Sequence, residues 1–280
     1  MIPGAPRPPR DALILAAGYG SRLRQLGSSK PLTPVAGIPL IELGMRQAAA
    51  AGVERVVVAT GHEADRLEAA LPAIAARAGV LLDVRRVGDW SRPNGWSVLA
   101  GAAAIEGNYL LMMADHIFSA PILAGLARTG TPGHGVTLAI DRRTDSPMVD
   151  PDDATWVRLG RDDRIVHIGK TIADYDAVDC GAFLATPELA EAIGAAIAAG
   201  RAGSLSDGMQ VLADRGRAAT MDIGSAWWID VDDAPMHALA ESMVARELPG
   251  IYARAGARGP AMAATAMEAA EMAAPSQAGA

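Results

Sequence analysis

Cysteine is nearly missing from this chain. Its 280 residues include one, Cys180. No disulfide can form within the chain, and a reducing cytoplasm is the compartment that suits it. Aromatic residues make up only 4%, so Ala, Leu, Ile and Val must fill the core, as tight helix-on-sheet packing allows. No apolar run is long enough to span a bilayer. The apolar stretch after Arg10 is too short for a signal peptide, and Arg22 follows it quickly. No long basic block occurs and the net charge is -7, which argues against nucleic acid as a partner. An anionic small molecule is still within reach, because a few local cations can govern one pocket. No Ser-His-Asp or Cys-His constellation stands out. Cys180 lies in the apolar run Val178-Asp179-Cys180-Gly181-Ala182-Phe183-Leu184 and reads as a packed core thiol.

Hydrophobic residues are 50% of the chain and charged residues 20%, enough for a sizeable core. Residues 1–10 carry four prolines and read as a disordered arm. Residues 11–250 read as one domain. Residues 251–280 are rich in Ala, Gly, Met and Pro and read as a low-complexity tail.

The stretch that organises the domain is Leu15-Ala16-Ala17-Gly18-Tyr19-Gly20-Ser21-Arg22-Leu23, followed by Lys30-Pro31-Leu32. A short apolar strand runs into a glycine turn, and two cations follow. Glycines let backbone N–H groups approach phosphate oxygens that a Cβ would obstruct. Arg22 and Lys30 would add fixed positive charge. The dinucleotide fingerprint fails because Leu23 stands where its third glycine belongs. The P-loop pattern fails because Pro31 follows Lys30.

Strands and helices alternate from residue 12 to residue 113, and the strands are continuous apolar runs. That pattern predicts a mostly parallel sheet with helices on both faces. Ligands on such sheets bind at the carboxyl ends of the strands. The glycine loop sits at one such end. Asp115 sits at another, after Tyr109-Leu110-Leu111-Met112-Met113, and is assigned to Mg²⁺, which takes one or two carboxylates plus substrate phosphates. His116 lacks zinc-like companions and is read as structural. Asn94 and Ser97, around Gly95, either cap the helix that begins there or face a nucleotide base.

From about residue 130 to 185 the strand-like pieces come without crossover helices. They predict an antiparallel insertion lying over the sheet and closing the pocket. It carries Lys170, a second anion site or a solvated lysine, and Asp179. In Trp228-Ile229-Asp230-Val231-Asp232 alternation places Asp230 and Asp232 on one face, where one of them could meet Asp115. A last helix over residues 234–246 is expected to bury Met236, Leu239 and Met243.

Together these motifs resemble the sugar nucleotidyltransferase family from Asp11 to Met243. Within it, Asn94-Gly95-Trp96-Ser97, Met113-Ala114-Asp115-His116, Ile168-Gly169-Lys170, Val178-Asp179-Cys180-Gly181 and Trp228-Ile229-Asp230-Val231-Asp232 are most similar to inositol-1-phosphate cytidylyltransferases. The resemblance implies a Rossmann-like, GT-A-like fold and transfer of CMP from CTP to a phosphorylated acceptor. It implies that Leu15, Ala16, Ala17, Gly18 and Gly20 wrap the triphosphate, with Arg22 and Lys30 on its phosphates. Asn94, Gly95 and Ser97 would lie near the base and ribose, Asp115 and Asp232 on Mg²⁺, and Lys170 and Asp179 on the acceptor. It also implies a membrane phosphatidyltransferase-type partner downstream, and it is compatible with a homodimer. The acceptor stays open between inositol 1-phosphate, phosphocholine, a phosphonate and a hexose 1-phosphate used with UTP. A non-catalytic nucleotide-binding subunit is the alternative outside the enzymes.

Overall fold

The computed structural model describes residues 8–20, 29–129 and 135–253. In the first half the strands are β1 (Asp11–Ala16), β2 (Pro34–Val35), β3 (Ile38–Pro39), β4 (Arg55–Thr60), β5 (Leu81–Arg86), β6 (Tyr109–Met113) and β7 (His116–Phe118). Helices α1 (Leu40–Ala50), α2 (Ala64–Ala78), α3 (Gly95–Ala102) and α4 (Ala120–Thr129) lie between and after them. The second half adds β8 (Val136–Asp141), β9 (Trp156–Leu159), β10 (Ile165–Gly169), β11 (Ala177–Ala185), β12 (Ala218–Asp222) and β13 (Trp228–Asp230). Its helices are α5 (Pro187–Ala198), α6 (Leu205–Asp214), α7 (Ala234–Glu247) and α8 (Pro249–Ala253).

β1 lies between β4 and β6, parallel to both, and β5 continues the parallel set beyond β4. Because β1 is covered on both faces, it needs apolar side chains at successive positions. Ala12, Ile14 and Ala16 pack with α1, α2 and α4 on one side. Leu13 and Leu15 pack with α3, α5 and α6 on the other. β5 is the edge of this set, and its residues are half-buried or exposed, which is why it alone carries Asp83, Arg85 and Arg86.

The antiparallel strands do not form the separate layer that their pattern predicts. β11 pairs antiparallel with β6 and continues the main sheet, and β8 and β9 pair antiparallel with β11. β12, in a sequence without strong alternation, runs parallel to β8. A register shift between Asp179 and Phe183 bends β11 at Gly181, whose φ of +75° suits glycine.

A third apolar cluster packs the short β2–β3 hairpin, the β7–β13 ribbon, α7 and α8. Ala240 and Val244 are the fully buried residues of α7. Met236, Leu239 and Met243, expected to be buried, are only partly so. A buried ion pair ties the layers here. Arg46 and Glu42, both on α1, are 2% exposed and 2.5 Å apart, and Arg46 Nη1 donates to the Ile251 carbonyl at 2.9 Å. Cys180 is fully buried, as the sequence predicts. No helix among the described residues is long and apolar enough to cross a membrane.

Candidate active site

β6 ends at Met113, and the chain turns through Ala114 and Asp115 into β7. The Ala114 amide donates to the Leu15 carbonyl at 3.1 Å, which ties the turn to β1. β7 pairs antiparallel with β13, placing Asp230 opposite His116. The Val231 amide then donates to the Asp115 carbonyl at 3.0 Å. Ile229 and Val231 are fully buried, so alternation sends Asp230 and Asp232 the other way. Asp230 lies in one cluster with Asp115 and His116, and Asp232 is joined to Asp115 through Lys30.

Lys30 closes the cluster. Its Nζ lies 2.5 Å from Asp115 Oδ2 and also bonds Asp232 Oδ1. The side chain is 9% exposed. Burial opposes its charge, but Asp115, Asp230 and Asp232 outweigh that and hold the ammonium well above its ordinary pKa. Burial would likewise raise Asp115, yet Lys30 and His116 hold it far below the usual carboxylate range. His116 Nδ1 is 2.8 Å from Asp115 Oδ1 and 3.6 Å from Asp230 Oδ1. Its ring stacks on Trp228, with centroids 5.5 Å apart. Burial works against its proton, but Asp230 and Asp115 push its pKa up to about 9. Burial pushes Asp230 up to about 6.

Two adjoining clefts share Asp115, Asp153 and Asp232. One, of about 250 Å³, is lined by Leu15, Ala16, Gly18, Gly20, Lys30 and Pro31. Of these, Leu15, Ala16, Gly18 and Gly20 are expected to wrap a triphosphate and Lys30 to contact its phosphates. Among the described residues, no atom beyond its own chain neighbours lies within 4 Å of where a Gly18 β-carbon would be. Gly20 has φ +58°, and a β-carbon would sit 2.7 Å from Lys30 Cβ; the loop rests on the lysine stem. Arg22 lies outside the described residues. Ala17 is buried behind the loop, and its carbonyl accepts from the His62 amide at 3.0 Å.

The other cleft, of about 240 Å³, is lined by His116, Trp228, Asp230, Lys170 and Asp179, with Asn94 at one side. Lys170 is drawn onto Asp153. Asp179 accepts the Gly181 amide at 2.7 Å, and burial pushes it up to about 6. The chain has two lysines, and each lines one of the adjoining clefts, Lys30 the first and Lys170 the second. Asp153 escaped the sequence reading because it sits among turns with Asp150 and Asp152, where an acidic residue carries no pattern. His116, read as structural, touches Asp115 directly.

The helix start at Asn94 serves packing as well. The Asn94 side-chain Oδ1 accepts from the Leu205 amide at 2.9 Å, supplying the first turn of α6 rather than its own helix. A β-carbon on Gly95 would collide with the Gly203 carbonyl. Ser97 is buried. Of the three, Asn94 lines the second cleft, and Gly95 and Ser97 line neither.

The donor set fits a hard divalent cation. Its oxygens are carboxylates, oxygens of Asp153, Asp230 and Asp232 lie within 4.8 Å of one another, and a lysine ammonium already bridges Asp115 and Asp232. Asp230 Oδ1 is buried with no hydrogen-bond partner among the described residues.

A family model described as the MobA-like NTP transferase domain matches residues 12–153. The chain belongs to this nucleotidyltransferase family. A bifunctional IPC transferase and DIPP synthase of Rubrobacter xylanophilus is 35% identical over 235 residues, 83% of this chain and 51% of that protein. A protein of the same description from Archaeoglobus fulgidus is 32% identical over 62% of this chain and 32% of its own length. The chain thus spans about half or less of these curated relatives. The solved inositol-1-phosphate CTP transferase from T. maritima superposes with a TM-score of 0.73 and 26% identity, covering 87% of this chain and 98% of that one. A UDP-glucose pyrophosphorylase complexed with UDP-glucose, at 18% identity and a TM-score of 0.70 over 85% of this chain and 99% of that one, shares the fold.

Proposed function

We propose that the protein is a Mg²⁺-dependent cytidylyltransferase that joins CMP from CTP to inositol 1-phosphate, releasing pyrophosphate. The observation that carries this reading is the convergence of Lys30, Asp115 and Asp232 beside the glycine loop, in a chain similar to an inositol-1-phosphate CTP transferase along nearly that protein's whole length.

An oxygen of the acceptor phosphate forms a bond to the α-phosphorus of CTP, and the bond from that phosphorus to the bridging oxygen of pyrophosphate breaks. Phosphate monoesters are largely ionised at neutral pH, so no base is required. Positioning and charge stabilisation carry such reactions. Asp115 and Asp232 would hold Mg²⁺, which supplies charge neutralisation between the phosphates. The backbone of residues 15–20 cradles the triphosphate, and Lys30 and Arg22 offset charge on the leaving pyrophosphate. Lys170 orients the acceptor phosphate. Asp179 and Asp153 are suited to accept hydrogen bonds from a polyol.

A choline acceptor would want an aromatic cage. The tryptophans do not supply one: Trp90 stacks on Tyr19, Trp96 carries Arg92 above its ring, and of the four at 90, 96, 227 and 228 only Trp228 lines the acceptor cleft. The lone buried cysteine suits a cytoplasmic setting, and a CDP-linked polyol would be consumed by a membrane phosphatidyltransferase-type partner. The test is pyrophosphate release under Mg²⁺, with CTP or UTP against inositol 1-phosphate, phosphocholine, a phosphonate and glucose 1-phosphate. CTP with inositol 1-phosphate should give the highest kcat/KM. Preference for another pair would reassign the acceptor, and no release from any pair would end the transferase reading.

A further inference from the structure

The ammonium of Lys30 occupies the position between Asp115 and Asp232 that the reading above gives to the divalent cation. It is 2.5 Å from Asp115 Oδ2, bonds Asp232 Oδ1, and its side chain is 9% exposed. We propose that Lys30 is the resident counter-ion of this carboxylate pair, so that the metal is admitted as its complex with the nucleotide and not as the free ion. The inference rests on the cytidylyltransferase reading.

The argument is one of charge exchange. A divalent ion cannot take the two carboxylate oxygens while an ammonium bridges them, because the like charges would stand within a few ångströms of each other. The ammonium must leave, and leaving a buried position without a new anion is costly. Gly20 rests on its stem, with the position of a Gly20 β-carbon 2.7 Å from Lys30 Cβ and 3.0 Å from Cδ. With the stem restrained by that contact, rotation about the last bonds carries the tip into the cleft that Leu15, Gly18 and Gly20 line with it. That cleft is where a phosphate tail would lie. A metal–nucleotide complex brings both partners at once, the metal for the carboxylates and phosphate oxygens for the ammonium. Free metal brings no anion for the lysine.

The residue type fits the role. An ammonium is a compact point charge on a flexible stem, whereas an arginine fork would hold a carboxylate bidentately and yield it less readily. This chain uses arginine for nearly all its cations, and its two lysines each line one of the two adjoining clefts. Lys170, by contrast, is 58% exposed and bonds one carboxylate, Asp153.

The test is Mn²⁺ binding to the full chain without nucleotide, followed by electron paramagnetic resonance, for the wild type, Lys30→Met, and Lys30→Met combined with Asp115→Asn. Removing the competing charge should tighten Mn²⁺ by roughly tenfold or more, given the one to three pKa units that a neighbouring charge commonly contributes. The gain should vanish in the double variant. Equal or weaker binding by Lys30→Met would overturn the proposal. Should Lys30→Met fail to fold, the wild type labelled with ¹⁵N-lysine gives the same answer, because Lys30 is one of two side-chain signals. Its signal should stay in place as Mg²⁺ alone is added and move when Mg²⁺ and CTP are added together. Displacement by Mg²⁺ alone would sink the idea. The two readings fail separately. Failure here alongside pyrophosphate release leaves the transferase intact. A tenfold gain in a chain that releases pyrophosphate from no substrate pair would keep the counter-ion and remove the transferase.

Discussion

The ring of His116 fills the space where a β-carbon of residue 181 would be. A Gly181 β-carbon would lie 2.5 Å from His116 Cδ2 and 2.7 Å from Nε2, and the backbone there has φ +75°. The bend in β11 thus makes room for the ring that hydrogen-bonds Asp115. Gly181→Ala should combine left-handed strain, about 1–3 kcal/mol, with displacement of the ring. Thermal melts should show a loss of that order, together with lower activity. An unchanged melting temperature would mean that the ring has another place to go.

Asp115 is the carboxylate on which the arrangement converges, since it holds Lys30 through one oxygen and His116 through the other. Asp115→Asn keeps the shape and removes the charge. Its kcat should fall roughly 10²-fold or more, as when one charge-stabilising group is lost elsewhere, while circular dichroism stays native. A near-normal rate would remove Asp115 from the mechanism.

Much of this site was legible in the sequence, and the part that was not has a physical explanation. Asp115 could be placed because an apolar strand delivers its last residue to a known edge of a parallel sheet. Asp230 and Asp232 could be placed because Ile229 and Val231 are buried and side chains alternate. The glycine loop was legible because Gly18 and Gly20 end an apolar strand and Arg22 and Lys30 follow it. Asp153 could not be read this way, because turn residues have no period. The path of the antiparallel strands was equally hidden. Alternation tells which face of a strand is buried but not which neighbour it pairs with, so β11 was expected above the sheet and instead lies within it. In α7 the helical spacing was right and the buried stripe was shifted by one residue, from Met243 to Val244 and from Leu239 to Ala240.

Asp179 is a buried carboxylate whose pKa burial raises to about 6, from an ordinary value near 3.8. A raised folded-state pKa contributes stability below the unfolded value, and that stability is lost as pH rises through the folded one. Ionised Asp179 therefore costs stability above pH 6. Asp179→Asn removes the charge and keeps an oxygen to accept the Gly181 amide. The variant should melt higher than the wild type at pH 8, and the advantage should fade between pH 6 and pH 4. A difference that does not change with pH would show that Asp179 is not held in this state.

Glu42 is 2% exposed and satisfies two arginines, Arg46 at 2.5 Å and Arg77 at 2.6 Å. Glu42→Gln would leave Arg46, itself 2% exposed, without a carboxylate. Removing one partner of a buried pair costs about 3–5 kcal/mol. Chemical denaturation should show a loss of that size, with substrate KM values unchanged because the pair lies away from the clefts. A loss below about 1 kcal/mol would put Arg46 in the class of surface pairs.

Lys170 reaches the acceptor cleft on a 58% exposed side chain and is held there by Asp153. If it orients the acceptor phosphate, Lys170→Met removes a charged hydrogen bond worth about 1.5–3 kcal/mol, which is roughly tenfold or more in acceptor KM. The KM for CTP should stay near its wild-type value, because Lys170 is not among the residues lining the cleft of the glycine loop. Asp153 lines both clefts, so Asp153→Ala should disturb the acceptor KM and the nucleotide KM together. That contrast separates two roles that a single activity measurement would merge. Equal shifts in both KM values for Lys170→Met would place the lysine on the nucleotide and leave the acceptor phosphate to another cation.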